Sequence, residues 1–171
     1  LDNKWGEFLI AKARRANIEN IITFGRDNVC DVRLSKIETT QKGSLVELEV
    51  SGNKIQYMLD CVGPHIAYNT VGVIACIHAL NLNVEEAAIS LKSIQLPRGR
   101  GGQVEIPLKS GASLTLIDES YNASPIAMHA ALAVLGSKVP KYGGRRVAIL
   151  GDMLELGPDG PSLHAKLLDH L

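Results

Sequence analysis

The sequence has 171 residues, of which 46% are hydrophobic and 21% charged, and its 18 basic side chains balance its 18 acidic ones. A chain of this length can form one full domain or two small ones. The balanced charge and the low aromatic content of 4% argue against a nucleic-acid-binding surface, and the longest apolar run, residues 71–80, is too short to span a membrane.

The three cysteines favour a reducing environment. Cys30, Cys61 and Cys76 have no metal-ligand spacing, and their number is odd. Two of them lie in apolar runs, so we expect reduced, buried thiols in a cytosolic protein. The chain opens without a leader pattern and stops within a helical one, from which we expect a fragment of a longer protein.

The first half of the chain predicts a helix, a series of strands and two further helices. Residues 4–15 carry apolar side chains at helical spacing. Strand-like runs follow at residues 21–24, 31–40, 44–50 and 54–60. The last two flank the turn signal Ser51-Gly52-Asn53, which predicts an antiparallel hairpin. A helix over 65–80, apolar nearly all round and so expected to be buried, precedes a helix over 84–94 with Asn83 as its N-cap.

The second half begins with the linker-like sequence LPRGRGG (96–102) and then predicts strands and helices. Two strands are expected at 103–108 and 113–118, followed by a helix over 125–136 that Ser124 caps. The continuous apolar run RRVAILGD (145–152) is typical of a buried parallel strand, and a last helix begins near Ser162. This alternation predicts a parallel α/β layer.

Polar residues cluster where two predicted strands end. Asp118 and Glu119 follow the first strand, and Asp152 and Glu155 follow the second. If the strands are parallel neighbours, these acids lie at one edge of the sheet, where open α/β sheets bind ligands. They could accept from ribose hydroxyls there, and Tyr121 could stack on a base. The alternative is structural: the acids favour the N-terminus of the next helix, and the polar residues make a turn.

Two further clusters also allow a binding and a structural interpretation. Arg98 and Arg100 could reach a phosphate or a ribose, although the glycines around them indicate a hinge between domains. His65 and Asn69 lie one turn apart on a predicted helix, where either an adenine or neighbouring backbone would satisfy the asparagine amide. The pattern leaves the role of His164 open, and neither a P-loop nor a GxGxxG motif occurs in the chain.

Together these stretches resemble the Mur ligases, the ATP-dependent amide-forming enzymes of peptidoglycan precursor synthesis. DESYNASP (118–125) is similar to the family signature Asp-Asp/Glu-Ser-Tyr-Asn-Ala-Asn-Pro, and GRRVAILGDMLELG (144–157) is similar to a Gly-Asp-Met-x-Glu-Leu-Gly strand and loop. The helix GPHIAYNTVGVIACIHAL (63–80) extends the similarity along essentially the whole chain. Ile66 and Ser124 depart from the family pattern, which has an asparagine at each position.

The resemblance implies an α/β fold from a three-domain enzyme. Residues 1–97 would be the end of a central ATP-binding domain with a mixed sheet and helices, and residues 98–171 an incomplete Rossmann-like C-terminal domain. The type that these motifs resemble most adds D-alanyl-D-alanine to UDP-N-acetylmuramoyl-tripeptide. In that reaction ATP phosphorylates a carboxylate, an amino group attacks the acyl phosphate, and phosphate leaves. A monomer in the bacterial cytoplasm, with neither nucleic acid nor membrane as a partner, is implied as well.

The resemblance also assigns roles to individual residues. The residues implied in ATP binding are His65, Asn69, Arg100, Asp118, Tyr121 and Asn122. Among them, Asn69 would bond the adenine, and Arg100 and Asp118 the ribose or the phosphates. The residues implied near the incoming dipeptide are Asp152, Glu155 and His164. No residue of the chain is assigned to catalysis, and whether Asp118 or Glu119 contacts the ribose stays open.

Several parts of such an enzyme are missing from the sequence. Mg²⁺ is an expected cofactor, but its ligands, the P-loop and a modified lysine are expected before Leu1. We therefore expect this chain alone to have no ATPase or ligase activity. The alternatives are another Mur ligase, an amide ligase similar to folylpolyglutamate synthase, and a non-catalytic nucleotide-binding module.

Overall fold

The computed structural model describes residues 2–40, 42–140 and 143–170. The chain divides into two compact units, which we call unit 1 (residues up to Ile94) and unit 2 (residues from Gln95). Both contain helices and strands, which confirms the predicted α/β class. Within the described residues, no helix is long and apolar enough to cross a membrane.

Unit 1 is a four-stranded mixed sheet with helices. It begins with helix α1 (Gly6–Arg15), and its strands are β1 (Phe24–Gly25), β2 (Val32–Thr39), β3 (Ser44–Val50) and β4 (Asn53–Leu59). They lie in chain order across the sheet, with β1 parallel to β2 and the other pairs antiparallel. Ser51 (φ 50°) and Gly52 (φ 81°) both have left-handed backbone, as a tight two-residue hairpin turn requires. The predicted hairpin is confirmed.

Helix α2 (Pro64–Ala79) covers one face of this sheet. Along β3, alternate side chains point into the core, because successive residues of a strand face opposite sides. The fully buried large side chains of this core are Val32, Val46, Leu48, Leu59, Val71 and Ile74. A buried pair of hydroxyls joins helix to sheet, with Tyr57 Oη 2.7 Å from Thr70 Oγ1.

The expectation that α2 is buried all round is wrong. Val73 is 44% exposed and Cys76 is exposed as well, because within unit 1 the sheet packs against only one side of the helix. The cysteines are also less buried than the sequence predicted. All three are free thiols, but Cys30 and Cys61 are only half-buried.

Helix α3 (Val84–Ser90) completes unit 1 and begins as predicted. The Asn83 side chain accepts a hydrogen bond from the Glu86 backbone N–H at 3.1 Å, which satisfies one of the free donors of the first turn. The helix tightens into a 3₁₀ turn over Leu91–Ser93 instead of continuing to residue 94. There Lys92 offers its carbonyl to the N–H of Asp60 at the end of β4.

Unit 2 contains an antiparallel hairpin of β5 (Gly102–Pro107) and β6 (Ser113–Asp118), followed by α4 (Pro125–Ser137). The Ser124 hydroxyl accepts from the Ala127 N–H at 3.3 Å, so the predicted cap of α4 is confirmed. A 3₁₀ turn (Gly157–Asp159) leads into the short helix α5 (Gly160–Ala165), which a second 3₁₀ segment extends over Lys166–His170. The buried apolar side chains of the unit are Leu132, Val134, Met153 and Leu167.

The predicted strand over 145–152 does not form. Residues 143–152 have no regular structure apart from a turn at their start, and Val147 and Ile149 are 61% and 94% exposed. A continuous apolar run becomes a buried strand only when neighbouring strands bond to it and helices cover it. Among the described residues of unit 2, β5 and β6 bond only to each other, so the expected parallel layer is not present there.

Candidate functional site

Two loops of unit 2 are joined by backbone hydrogen bonds. The Gly101 N–H donates to the Asp118 carbonyl at 2.8 Å, and the Tyr121 N–H donates to the Gly99 carbonyl at 3.1 Å. The approach is so close that a Cβ atom on Gly99 would lie 2.7 Å from the Tyr121 nitrogen. Gly99 also has a φ of +74°, so both space and backbone conformation call for glycine here.

The side chains of Arg100 and Tyr121, one from each loop, contact each other. The guanidinium carbon of Arg100 lies 4.3 Å from the centroid of the Tyr121 ring, which is a cation–π distance. The ring is 67% exposed, and Arg100 is exposed too. The sequence placed both residues in a nucleotide site but gave no sign that they contact each other. The loop pair thus presents a fixed positive charge beside an aromatic face.

Asp118 supplies the negative group of the cluster. Its Oδ1 accepts hydrogen bonds from the Ser120 hydroxyl at 2.6 Å and from the Ser120 N–H at 3.1 Å. These two bonds lower the pKa of Asp118, because they stabilise the charged form. At neutral pH the group is therefore a carboxylate, and it can accept hydrogen bonds from hydroxyl groups.

Glu119 differs from its neighbour. It is half-buried, and burial raises its pKa; the adjacent charge of Asp118 acts in the same direction. The two adjacent acids are thus set apart by their surroundings. The pKa shifts of the two neighbouring carboxyl groups are therefore opposite in direction.

Part of this polar stretch is structural, as the alternative interpretation proposed. The Asn122 side-chain oxygen accepts from the Ala123 N–H at 2.9 Å, and Ser124 caps α4. Ser120 orients Asp118, as described above. The side chains of Asp118, Asn122 and Ser124 all accept hydrogen bonds from nearby backbone N–H groups, whereas the Tyr121 ring stacks with Arg100.

His65 and Asn69 lie in unit 1 on the first two turns of α2. His65 is half-buried, and burial lowers the pKa of its imidazole, which favours the neutral ring. Its ring packs against Gly63, the N-cap of the helix, where a Cβ atom would lie 2.9 Å from His65 Cε1. Asn69 is exposed one turn later, so its amide is accessible within unit 1.

A second cluster in unit 2 surrounds the loop Gly151–Gly157, which we call the 151–157 loop. The Met153 side chain is only 4% exposed and anchors the loop, whereas the Asp152 side chain is 91% exposed. His164 on α5 accepts a hydrogen bond from the Met153 N–H at Nε2, at 2.9 Å. Its other nitrogen, Nδ1, lies 2.7 Å from the Gly160 carbonyl oxygen.

The structure brings some of the predicted site residues together and leaves others apart. Arg100, Asp118 and Tyr121 share one cluster, and Asp152 lies 4.0 Å from His164 Nε2. The expected parallel strand that would carry Asp152 and Glu155 to the edge of a sheet beside Asp118 is absent, since residues 145–152 form no strand. Sequence reasoning missed Gly99, whose positive φ and tight contact cannot be read from a glycine-rich linker.

Comparison with known proteins shows which enzymes this chain resembles. The UDP-N-acetylmuramoyl-tripeptide–D-alanyl-D-alanine ligase of Rickettsia prowazekii is 29% identical over 163 residues, 95% of this chain. Residues 1–77 match the Mur ligase middle domain. The chain is thus similar to the Mur ligases along most of its length. The resemblance predicted from its motifs is thus confirmed.

Solved structures of Mur ligases agree with this similarity. The crystal structure of MurF from Acinetobacter baumannii matches 94% of this chain with a TM-score of 0.77 and 27% identity. MurF from Thermotoga maritima, solved in complex with ADP, matches with a TM-score of 0.71, and at 22% identity it supports the fold alone. The chain spans about a third of the length of these proteins: 34% of the Rickettsia ligase and 33% of the Acinetobacter chain.

Proposed function

We propose that the protein is an ATP-dependent amide ligase that adds D-alanyl-D-alanine to UDP-N-acetylmuramoyl-tripeptide. The tripeptide carboxylate attacks the γ-phosphorus of ATP, giving an acyl phosphate and ADP. The amino group of the dipeptide then attacks the acyl carbon, and the tetrahedral intermediate loses phosphate as the amide forms. Relatives that carry the name of this ligase match up to 95% of the chain, which supports the choice of substrates.

The observation that carries this proposal is the Arg100–Asp118–Tyr121 cluster. A fixed cation, an ionised carboxylate and an exposed aromatic ring stand on two backbone-bonded loops. These groups complement a nucleotide: the cation suits phosphate, the carboxylate suits ribose hydroxyls, and the ring suits a base. Asn122 of unit 2, with His65 and Asn69 of unit 1, completes the residues that we assign to ATP. Among them, Asn69 is assigned to the adenine.

The remaining assignments follow the same proposal. Asp152, Glu155 and His164 belong to the region of the incoming dipeptide, residues 1–97 to the central ATP-binding domain, and residues 98–171 to the C-terminal domain. The enzyme is a monomer of the bacterial cytoplasm. Mg²⁺ neutralises phosphate charge in such transfers. Its ligands are not assigned to residues of this chain.

The experiment that tests this function uses the full-length protein. Purified protein is mixed with ATP, Mg²⁺, UDP-N-acetylmuramoyl-tripeptide and D-alanyl-D-alanine, and the products are followed by mass spectrometry. We expect one ADP, one phosphate and one UDP-N-acetylmuramoyl-pentapeptide per cycle. Parallel reactions offer single L-amino acids, diaminopimelate, or folate with glutamate. Product from one of these, with none from D-alanyl-D-alanine, contradicts the proposal, and so does the absence of ATP turnover in every reaction.

A further inference from the structure

The ring of His164 is held by two backbone groups of opposite character. The Gly160 carbonyl can only accept a hydrogen bond, so Nδ1, at 2.7 Å, must carry the proton. The Met153 N–H can only donate, so Nε2, at 2.9 Å, must present its lone pair. The geometry therefore specifies one neutral tautomer, with both nitrogens of the ring engaged inside the protein.

The two partners of His164, Met153 and Gly160, lie on either side of Glu155 in the sequence. Met153 comes directly after Asp152, and its side chain is buried in the core of unit 2. Gly160 begins α5, beyond Glu155 and the 3₁₀ turn. The imidazole thus joins Met153 to Gly160 and closes the segment between them, which carries Glu155 and directly follows Asp152. Asp152 Oδ1 lies 4.0 Å from Nε2, beyond hydrogen-bonding distance, because Met153 occupies that nitrogen.

We propose that His164 is a positioning residue that fixes the 151–157 loop through the Met153 N–H and the Gly160 carbonyl, rather than a group that binds the substrate itself. This inference rests on the proposed function for its link to the dipeptide. A ring with both nitrogens engaged has no polar atom left to offer a ligand. Its effect on the reaction is therefore indirect: it sets where the loop holds Asp152 and Glu155.

Two variants of His164 in the full-length protein separate these roles. The carboxamide oxygen of His164→Gln reaches the position of Nε2 and can still accept from Met153. The shorter His164→Asn places its carboxamide near Nδ1, so it keeps the Gly160 contact and loses the Met153 contact. We label the protein with ¹⁵N-methionine, ¹⁵N-leucine and ¹⁵N-valine, assign the amides of Met153, Leu132 and Val134 by substituting each residue in turn, and measure their hydrogen exchange.

We expect the Met153 amide to exchange roughly fivefold to tenfold faster in His164→Asn and at nearly the wild-type rate in His164→Gln. The amides of Leu132 and Val134 in α4 should be unchanged in both. In the ligase reaction, the KM for D-alanyl-D-alanine should rise about threefold to tenfold in His164→Asn with little change in kcat, and His164→Gln should restore it.

Three results would overturn the proposal. The first is an unchanged Met153 exchange rate in His164→Asn. The second is faster exchange of the α4 amides as well, which would make His164 a general stabilising residue. The third is an equal loss of dipeptide affinity in both variants, as a direct substrate contact would give. The exchange measurements need no enzymatic turnover, so a failure of the proposed function is distinguishable from a failure of this inference.

Discussion

At the scale of single residues, the Arg100–Asp118–Tyr121 cluster depends on Gly99. Gly99 combines a left-handed backbone with the closest approach in the loop pair, where its carbonyl accepts from the Tyr121 N–H. Arg100 directly follows Gly99 in the chain and stacks on the ring of the same Tyr121. A change at Gly99 would therefore move both the cation and the ring without removing either.

Gly99→Ala should lower the free energy of unfolding by about 1–3 kcal/mol, because the new methyl group meets the Tyr121 backbone and the backbone conformation disfavours alanine. Gly102→Ala is the matched control, since a Cβ atom there meets nothing within 4 Å. Urea denaturation followed by circular dichroism measures both. Equal stability of the two variants would show that the loop relaxes around the added methyl group.

At the scale of secondary structure, one face of α2 packs on the sheet and the other is exposed within unit 1. Ile74 is fully buried against the sheet, whereas its neighbour Val73 is 44% exposed. The helix also carries His65 and Asn69 on its first two turns. The packing of its buried face therefore fixes the position of both residues on unit 1.

Ile74→Ala should cost about 2–5 kcal/mol of stability, through lost apolar burial and the cavity left behind. Val73→Ala removes less material from an exposed position and should change stability by about 0.5 kcal/mol or less. Thermal unfolding of the two proteins makes the comparison. Similar losses in both would mean that Val73 packs against something beyond unit 1.

Local signals in the sequence predicted most elements. The predicted strand over 145–152 is the exception, because a strand depends on pairing with distant segments. The caps Asn83 and Ser124 and the turn at Ser51-Gly52 act within four residues, so they appear as predicted. The run at 145–152 needed partner strands that no local pattern specifies, and it lies exposed instead. The Arg100–Tyr121 stack and the bond from Met153 to His164 were unpredictable for the same reason, since each joins residues that lie more than ten positions apart in the sequence.

At the scale of the whole molecule, the residues that we propose for ATP binding belong to both units. Unit 1 provides His65 and Asn69, and unit 2 provides the Arg100–Asp118–Tyr121 cluster. No P-loop motif lies in the 171 residues, so the cradle for the triphosphate is not among them. We therefore expect the 171 residues to contribute to ATP binding without turning ATP over.

Asn69→Ala and Asp118→Asn in the full-length protein should each raise the KM for ATP about tenfold, because each removes a hydrogen bond to the nucleotide. Asp159→Asn, an exposed acid elsewhere in unit 2, serves as the control and should leave the KM unchanged. The 171-residue chain by itself should hydrolyse no ATP. Variants that unfold more easily yet keep normal ATP affinity, or turnover by the isolated chain, would contradict this assignment.

The backbone of Glu155 has a consequence for the shapes that the 151–157 loop can adopt. Glu155 has a φ of +60°, a left-handed conformation that disfavours a side chain with a Cβ atom by about 1–2 kcal/mol. Any rearrangement that returns Glu155 to negative φ recovers that energy, while the bonds from His164 to Met153 and Gly160 oppose it. The 151–157 loop therefore holds Glu155 in a disfavoured backbone conformation, and the contacts of His164 with Met153 and Gly160 help to keep it there.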